Sequence, residues 1–154
     1  MLKFYDIDKD YILYLKQFEK KIPNIDYQKH DKFICGVVLN INDINYYAPI
    51  SSSREKKRTS MLIYNEKNEP VSSIRFSFMF PVSEVLLKEK DFNSEDYLYK
   101  RLLMEELDYC NQNREKIYKL AEDVYKIGVN KNHPLSKVCC DFKLLEEKYM
   151  QYLD

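Results

Sequence analysis

The sequence predicts an α+β fold built on an antiparallel sheet. Short β-branched or alternating segments fill the first half of the chain, and segments of helical periodicity fill the second. Within the first half, Asn42-Asp43 turns the chain so that the following segment returns antiparallel. The 154 residues make one domain, 1–154, within the usual range of roughly 100–200 residues. A chain of this length buries enough surface to hold a core without disulfides or a metal.

Taken in order, Met1 to Ile7 reads as a strand. Asp8 or Asp10 caps a helix with Tyr11, Tyr14, Leu15 and Phe18 on one face. Residues 21–31 form a polar loop. Lys32 to Asn40 is a buried strand, and Ile44 to Ile50 its partner. Thr59 to Tyr64 and Val71 to Phe80 are strands around a turn at Asn65 to Glu69, and Pro81 ends the second. Ser94 caps a helix through Leu98, Arg101, Leu102, Glu105 and Glu106. Asn113 restarts a helix with Ile117, Leu120, Ala121, Val124 and Tyr125 on its apolar face, and Gly128 ends it. Asp141 caps a last helix carrying Leu144, Leu145, Tyr149 and Tyr152.

The formal net charge of zero hides an asymmetry. Residues 1–60 carry a net +3 and residues 61–154 a net −3, so a mildly basic sheet half can attract a polyanion. The 14 tyrosines are weak evidence for base stacking, because abundant Lys, Asn, Ile and Tyr also follow from A/T-rich codons. No apolar run passes seven residues, and no cationic segment precedes an apolar one at the N-terminus. The four cysteines show no C-x-x-C spacing, which points to reduced thiols in a cytoplasm.

The run Ser51-Ser52-Ser53-Arg54-Glu55-Lys56-Lys57-Arg58 follows a strand and sets three hydroxyls against four cations. Hydroxyls donate to phosphate oxygens, and cations neutralise charge that grows in a phosphoryl-transfer transition state. A charge run more often only solvates a face. Lys32 adds a second signal. A hairpin turning at 42–43 brings Lys32 to Ile34 near Ser51 to Ser53, so basic and hydroxyl groups distant in sequence meet at one sheet end. The plain alternative is a strand-edge lysine that blunts aggregation.

Other constellations carry less. Asp6-x-Asp8-x-Asp10 opens like a calcium loop, but Tyr11 stands where glycine is needed and Gln17 where the bidentate glutamate is needed. His30 and His133 are the only histidines, too few for a structural zinc site and unlinked as an acid/base pair. His30 precedes Lys32 closely enough to approach the same site. Glu105, Glu106 and Asp108 read as a solvated helix face.

Several segments together resemble the toxin components of type III toxin–antitoxin systems, the ToxN and AbiQ family. They are Lys3-Phe4-Tyr5, the helix Tyr11-Ile12-x-Tyr14-Leu15-Lys16-x-Phe18, Lys32-x-x-x-Gly36-Val37-Val38-Leu39, Tyr46-Tyr47-Ala48-Pro49-Ile50-Ser51-Ser52 and Phe142-Lys143-Leu144-Leu145-Glu146-Glu147-Lys148-Tyr149. The resemblance runs along essentially the whole chain. It implies a twisted antiparallel sheet, a partly open barrel like that of small toxin ribonucleases, with surrounding helices. It also implies a metal-independent endoribonuclease without cofactors, acting in phage abortive infection or stress. Such enzymes cut single-stranded, often A-rich, cellular or phage RNA and leave a 2′,3′-cyclic phosphate. They process a repeat RNA antitoxin from its precursor and are silenced by the resulting pseudoknot, in closed assemblies with equal numbers of toxin and RNA, 3:3 for example.

Carried over by position, the family's active-site lysine falls on Lys32, its two hydroxyls on Ser51 and Ser52, and its tyrosine on Tyr27. Its following lysine falls on Arg54, a departure, since arginine clamps phosphate but does not exchange protons near neutral pH. Lys56 or Lys57 is the alternative there. Ser53, Lys56, Lys57, Arg58 and His30 are expected to bind RNA beside the site. Lys3, Lys16, Lys20, Lys21 and Lys29 are expected to form a second, separate RNA-binding patch. Two other functional classes fit some of these features: a non-catalytic RNA-binding module, and an interaction protein whose tyrosine-rich helices bind protein.

Overall fold

The computed structural model describes residues 1–24 and 32–153. Its strands are β1 (Lys3–Ile7), β2 (Ile34–Ile41), β3 (Ile44–Ser51), β4 (Ser60–Tyr64), β5 (Pro70–Arg75), β6 (Phe80–Pro81) and β7 (Leu87–Glu89). Its helices are α1 (Lys9–Lys16), α2 (Tyr97–Gln112), α3 (Arg114–Val129) and α4 (Phe142–Leu153). The strands form an open, wholly antiparallel sheet in the order β4-β5-β3-β2-β1-β7, with β6 on β3.

The β2–β3 hairpin closes on Asn42 and Asp43, both at positive φ (50° and 67°), the geometry of a tight hairpin turn. Its register pairs Ile41 with Ile44 and, beyond a bulge between Gly36 and Leu39, Ile34 with Pro49. β3 then changes partner on its other edge. Tyr46 and Tyr47 pair with β6, whereas Ile50 and Ser51 pair with β5.

Asp8 caps α1, accepting from the Asp10 and Tyr11 amides (2.9 and 3.3 Å). Tyr11 and Tyr14 of α1 face Tyr152 of α4. Tyr11 Oη donates to the Pro81 carbonyl (2.6 Å), Tyr14 Oη to the Lys148 carbonyl (2.8 Å), and both rings pack on Tyr152. Glu146 on α4 accepts from Tyr46 Oη (2.6 Å) on β3 and Tyr125 Oη (2.7 Å) on α3, with Lys143 at 3.7 Å. One carboxylate thereby ties two helices to the sheet. The two glycines are both seats for rings. A Cβ on Gly36 would lie 2.3 Å from the Tyr47 ring, and one on Gly128 2.3 Å from the Phe142 ring.

Five expectations change here. The segment 71–80 is not one strand. β5 stops at Arg75, and Phe76–Phe78 makes a 3₁₀ turn held by bonds from the Phe76 amide to the Thr59 carbonyl (3.1 Å) and from the Cys140 amide to the Ser77 carbonyl (2.8 Å). The cap of α2 is Asp96, which accepts from the Tyr99 amide (3.0 Å), while Ser94 ends a preceding 3₁₀ turn. Gly128 lies within α3, which runs on to Val129. Tyr11, Tyr14 and Tyr152 of α1 and α4 pack on one another, as described, while Tyr97 on α2 is 73% exposed. Finally, Glu106 is not solvated: it is 4% exposed and accepts from the Ser72 hydroxyl on β5. Desolvation pushes its carboxyl up to about 7, against the lowering effect of that bond.

All four cysteines are buried and free. No helix among the described residues is long and apolar enough to cross a membrane.

Candidate active site

The end of the sheet where β2 begins and β3 ends carries a cleft of about 290 Å³. Extending the β2–β3 register two residues past Ile34 and Pro49 sets Lys32 opposite Ser51. Both line the cleft, with Lys16, Lys20 and Lys21 from the end of α1 and the turn after it. Arg75 closes it from the end of β5, with Pro49 and Phe78 beside it. Among the described residues the lining holds five cations and no carboxylate. Such a surface favours a phosphodiester over any other common polymer linkage.

Ser51 is held by the local turn. Its Oγ accepts from the Ser53 amide (3.1 Å), and Ser53 Oγ accepts from the Glu55 amide (3.3 Å). Ser51 also pairs across the sheet with Ser73 on β5. Side chains directly opposite in an antiparallel pair share a face, as do residues two apart on one strand. Ser51, Ser73, Arg75 and Ser60, which is opposite Arg75, therefore share one face. Ser60 Oγ, Ser73 Oγ and Arg75 Nε are buried with no hydrogen-bond partner among the described residues. Burial lowers the Arg75 guanidinium from its ordinary value, with Glu55 acting in the opposite sense.

The remaining site residues fall as follows. Ser52 and Arg54 are exposed on the loop after β3 and do not line the cleft. Lys56 is exposed, and Lys57 lies 3.8 Å from Glu55. Arg58 points to a different groove, of about 430 Å³ along α3, with Asp123, Lys126, Asn130 and His133. His133 Nδ1 is engaged locally, accepting from the Leu135 amide (3.0 Å). Tyr27, Lys29 and His30 lie outside the described residues.

The expected second patch is not separate. Lys16, Lys20 and Lys21 share the cleft with Lys32 and Ser51, because the chain after α1 folds back over the sheet end. Lys16 Nζ donates to the Ile22 carbonyl (2.6 Å) and so shapes that turn. Lys3 is elsewhere, on β1 and 3.4 Å from Glu89. Arg75 is the residue that sequence reasoning missed. Its signal was a lone cation in the acid-free stretch Val71 to Pro81. Among the described residues, no three His, Cys, Asp or Glu side chains are grouped to hold a metal ion.

Comparison with known proteins agrees with this architecture. Endoribonuclease ToxN of Pectobacterium atrosepticum is 32% identical over 164 residues, covering 98% of this chain and 94% of its own. Endoribonuclease AbiQ of Lactococcus lactis subsp. lactis is 32% identical, covering 98% and 89%. A solved structure of a type III toxin, described as selectively inhibited by a non-coding RNA pseudoknot, superposes with a TM-score of 0.90 at 28% identity. It covers 99% of this chain and 98% of that one. A family model described as toxin ToxN of type III toxin–antitoxin systems matches residues 3–151, so the chain belongs to the ToxN toxin family.

Proposed function

We propose that the protein is the endoribonuclease toxin of a type III toxin–antitoxin system, held in check by an RNA antitoxin and acting in abortive phage infection. The cleft carries the reading: Lys32, just before β2, and Ser51, at the end of β3, meet in a lining that, among the described residues, has five cations and no carboxylate. Cleavage uses the RNA's own 2′-OH. Its oxygen attacks the adjacent phosphorus, the bond to O5′ breaks, and the products are a 2′,3′-cyclic phosphate and a 5′-OH. The proton leaving the 2′-OH is balanced by one delivered to O5′. Ser51 holds a non-bridging oxygen or orients the 2′-OH. Lys32 either polarises the phosphate as an ammonium or shuttles the proton, taking it from the 2′-OH as a neutral amine and giving it to O5′ as an ammonium. The cations supply the charge that a metal would otherwise bring to the phosphorane, so the reaction runs without one.

The substrate is single-stranded, A-rich RNA. The antitoxin occupies the same cleft, its product end lying where substrate would. One RNA bridging two toxins closes an assembly with equal numbers of each. The test is purified protein with A-rich RNA in EDTA. Cyclic-phosphate ends are the expected result. Intact RNA that is retained by the protein would leave a binding module in place of an enzyme.

A further inference from the structure

We propose that Arg75 is a catalytic residue of this cleft, clamping the non-bridging oxygens of the scissile phosphate. The inference rests on the ribonuclease reading above and adds a residue to it. Three adjacent strands each bring one group to the cleft: Lys32 precedes β2, Ser51 ends β3 and Arg75 ends β5. Arg75 is the one whose hydrogen-bonding capacity is visibly unspent. Its Nε–H is buried without an acceptor among the described residues. An unmet donor of that kind costs stability unless a ligand meets it.

The guanidinium is also held in place before any ligand arrives. Its central carbon sits 4.7 Å from the centroid of the Phe78 ring, and Phe78 itself lines the cleft. The 3₁₀ turn that interrupts the expected strand is what brings Phe78 back over Arg75. A planar fork fixed on an aromatic face can present Nε and one Nη together to two phosphate oxygens. The same sheet face carries Ser51, which lines the cleft, and the buried hydroxyls of Ser60 and Ser73, unpartnered among the described residues, which do not. Arg75 takes no part in proton transfer, since it stays charged throughout the working pH range. Its effect belongs to the step in which the phosphate gains charge, so it is read in the rate and not in binding.

Single-turnover cleavage by wild type, Arg75→Gln and Arg75→Lys tests this, with melting temperature and RNA affinity measured alongside. Arg75→Gln should lose roughly 10²–10³-fold in rate, the loss seen when one preorganised donor to a developing oxyanion is removed. Arg75→Lys keeps the charge and the aliphatic stem but not the fork, and should still lose about tenfold or more. RNA affinity should stay within about threefold, and the pH–rate profile should keep its shape. Free guanidinium ion should restore part of the rate to Arg75→Ala and none to Lys32→Ala. Should Arg75→Gln fail to fold, Arg75→Lys decides. Wild type that cleaves, with Arg75→Lys as fast, overturns the assignment of Arg75 alone. Wild type that leaves RNA intact overturns this inference and the ribonuclease reading together.

Discussion

The two ends of β3 solve opposite problems. At Tyr46 every polar group is met: the tyrosine donates to Glu146, Glu146 also accepts from Tyr125, and Lys143 balances the charge. At Ser51, five residues on, the described lining gathers cations without a carboxylate, and the buried Ser73 Oγ and Arg75 Nε go unmet among the described residues. The first end holds α3 and α4 to the sheet. The second leaves the Ser73 hydroxyl and the Arg75 Nε–H unmet among the described residues at a cost in stability, as a site does that is built for something other than holding the fold together.

If this contrast is right, substitutions at the two ends separate rate from stability. The largest effect is expected at the open end. Lys32→Ala and Ser51→Ala should each reduce cleavage by roughly 10²–10⁴-fold while the melting temperature holds. Toxicity preserved at equal expression in both variants would break the comparison. At the closed end, Glu146→Ala leaves two tyrosine hydroxyls without their carboxylate. The expected loss is about 1–3 kcal/mol in all, since Tyr46 Oη keeps the Phe142 carbonyl (3.3 Å) as an acceptor; it is read by chemical denaturation, with kcat on RNA unchanged.

A buried carboxyl on α2 sharpens the contrast further, because it lies in neither end. Glu106 is raised from 4.5 to about 7 in the folded state, chiefly by burial. The folded protein therefore holds the proton more tightly than the unfolded chain. The stabilisation is fully present below pH 4.5 and falls as pH rises to about 7, then stays level. Across that window the change is on the order of 3 kcal/mol. Glu106→Gln should flatten this stretch of the stability curve. A wild-type curve already flat there would show that the carboxyl is ionised in its site.

The smallest effect concerns affinity. In a cleavage-inactive background, Lys20→Gln with Lys21→Gln should reduce the slope of log K against log salt by about 0.7 per lysine. The loop set Arg54, Lys56, Lys57 and Arg58 should change it less, since these residues do not all face the cleft. Equal changes from both sets would place the RNA across the loop as well.

What could be read from the sequence was whatever depends on near neighbours. The Asn42-Asp43 turn, the Asp8, Asn113 and Asp141 helix starts and the apolar periods of β2, β3, α1 and α3 are local signals, and all stand in the structure. The meeting of Lys32 with Ser51 was legible because a hairpin is nearly local too. Contacts made across the fold were not. The alternation of Ile74, Phe76, Phe78 and Phe80 gave no warning of a 3₁₀ turn fixed from Thr59 and Cys140. Glu106 looked like its exposed neighbour Asp108, because its partner Ser72 lies 34 residues away. Gly128 resembled a helix stop, but Phe142 needs its missing side chain. Arg75 was passed over for the same reason, as its cleft exists only once three strands converge.

The partner exchange along β3 gives Pro49 a meaning apart from chemistry. The Ile50 amide donates toward β2, to the Phe33 carbonyl (3.2 Å), so strand alternation turns position 49 to the opposite edge. That edge is where β6 has ended at Tyr47 and β5 begins only at Ile50. A proline has no N–H to strand in such a gap. Ala-Pro-Ile-Ser-Ser is thus two instructions written in five letters. Its proline lets the sheet fork without leaving a donor bare, and its first serine stands at the mouth of the fork, where substrate would enter.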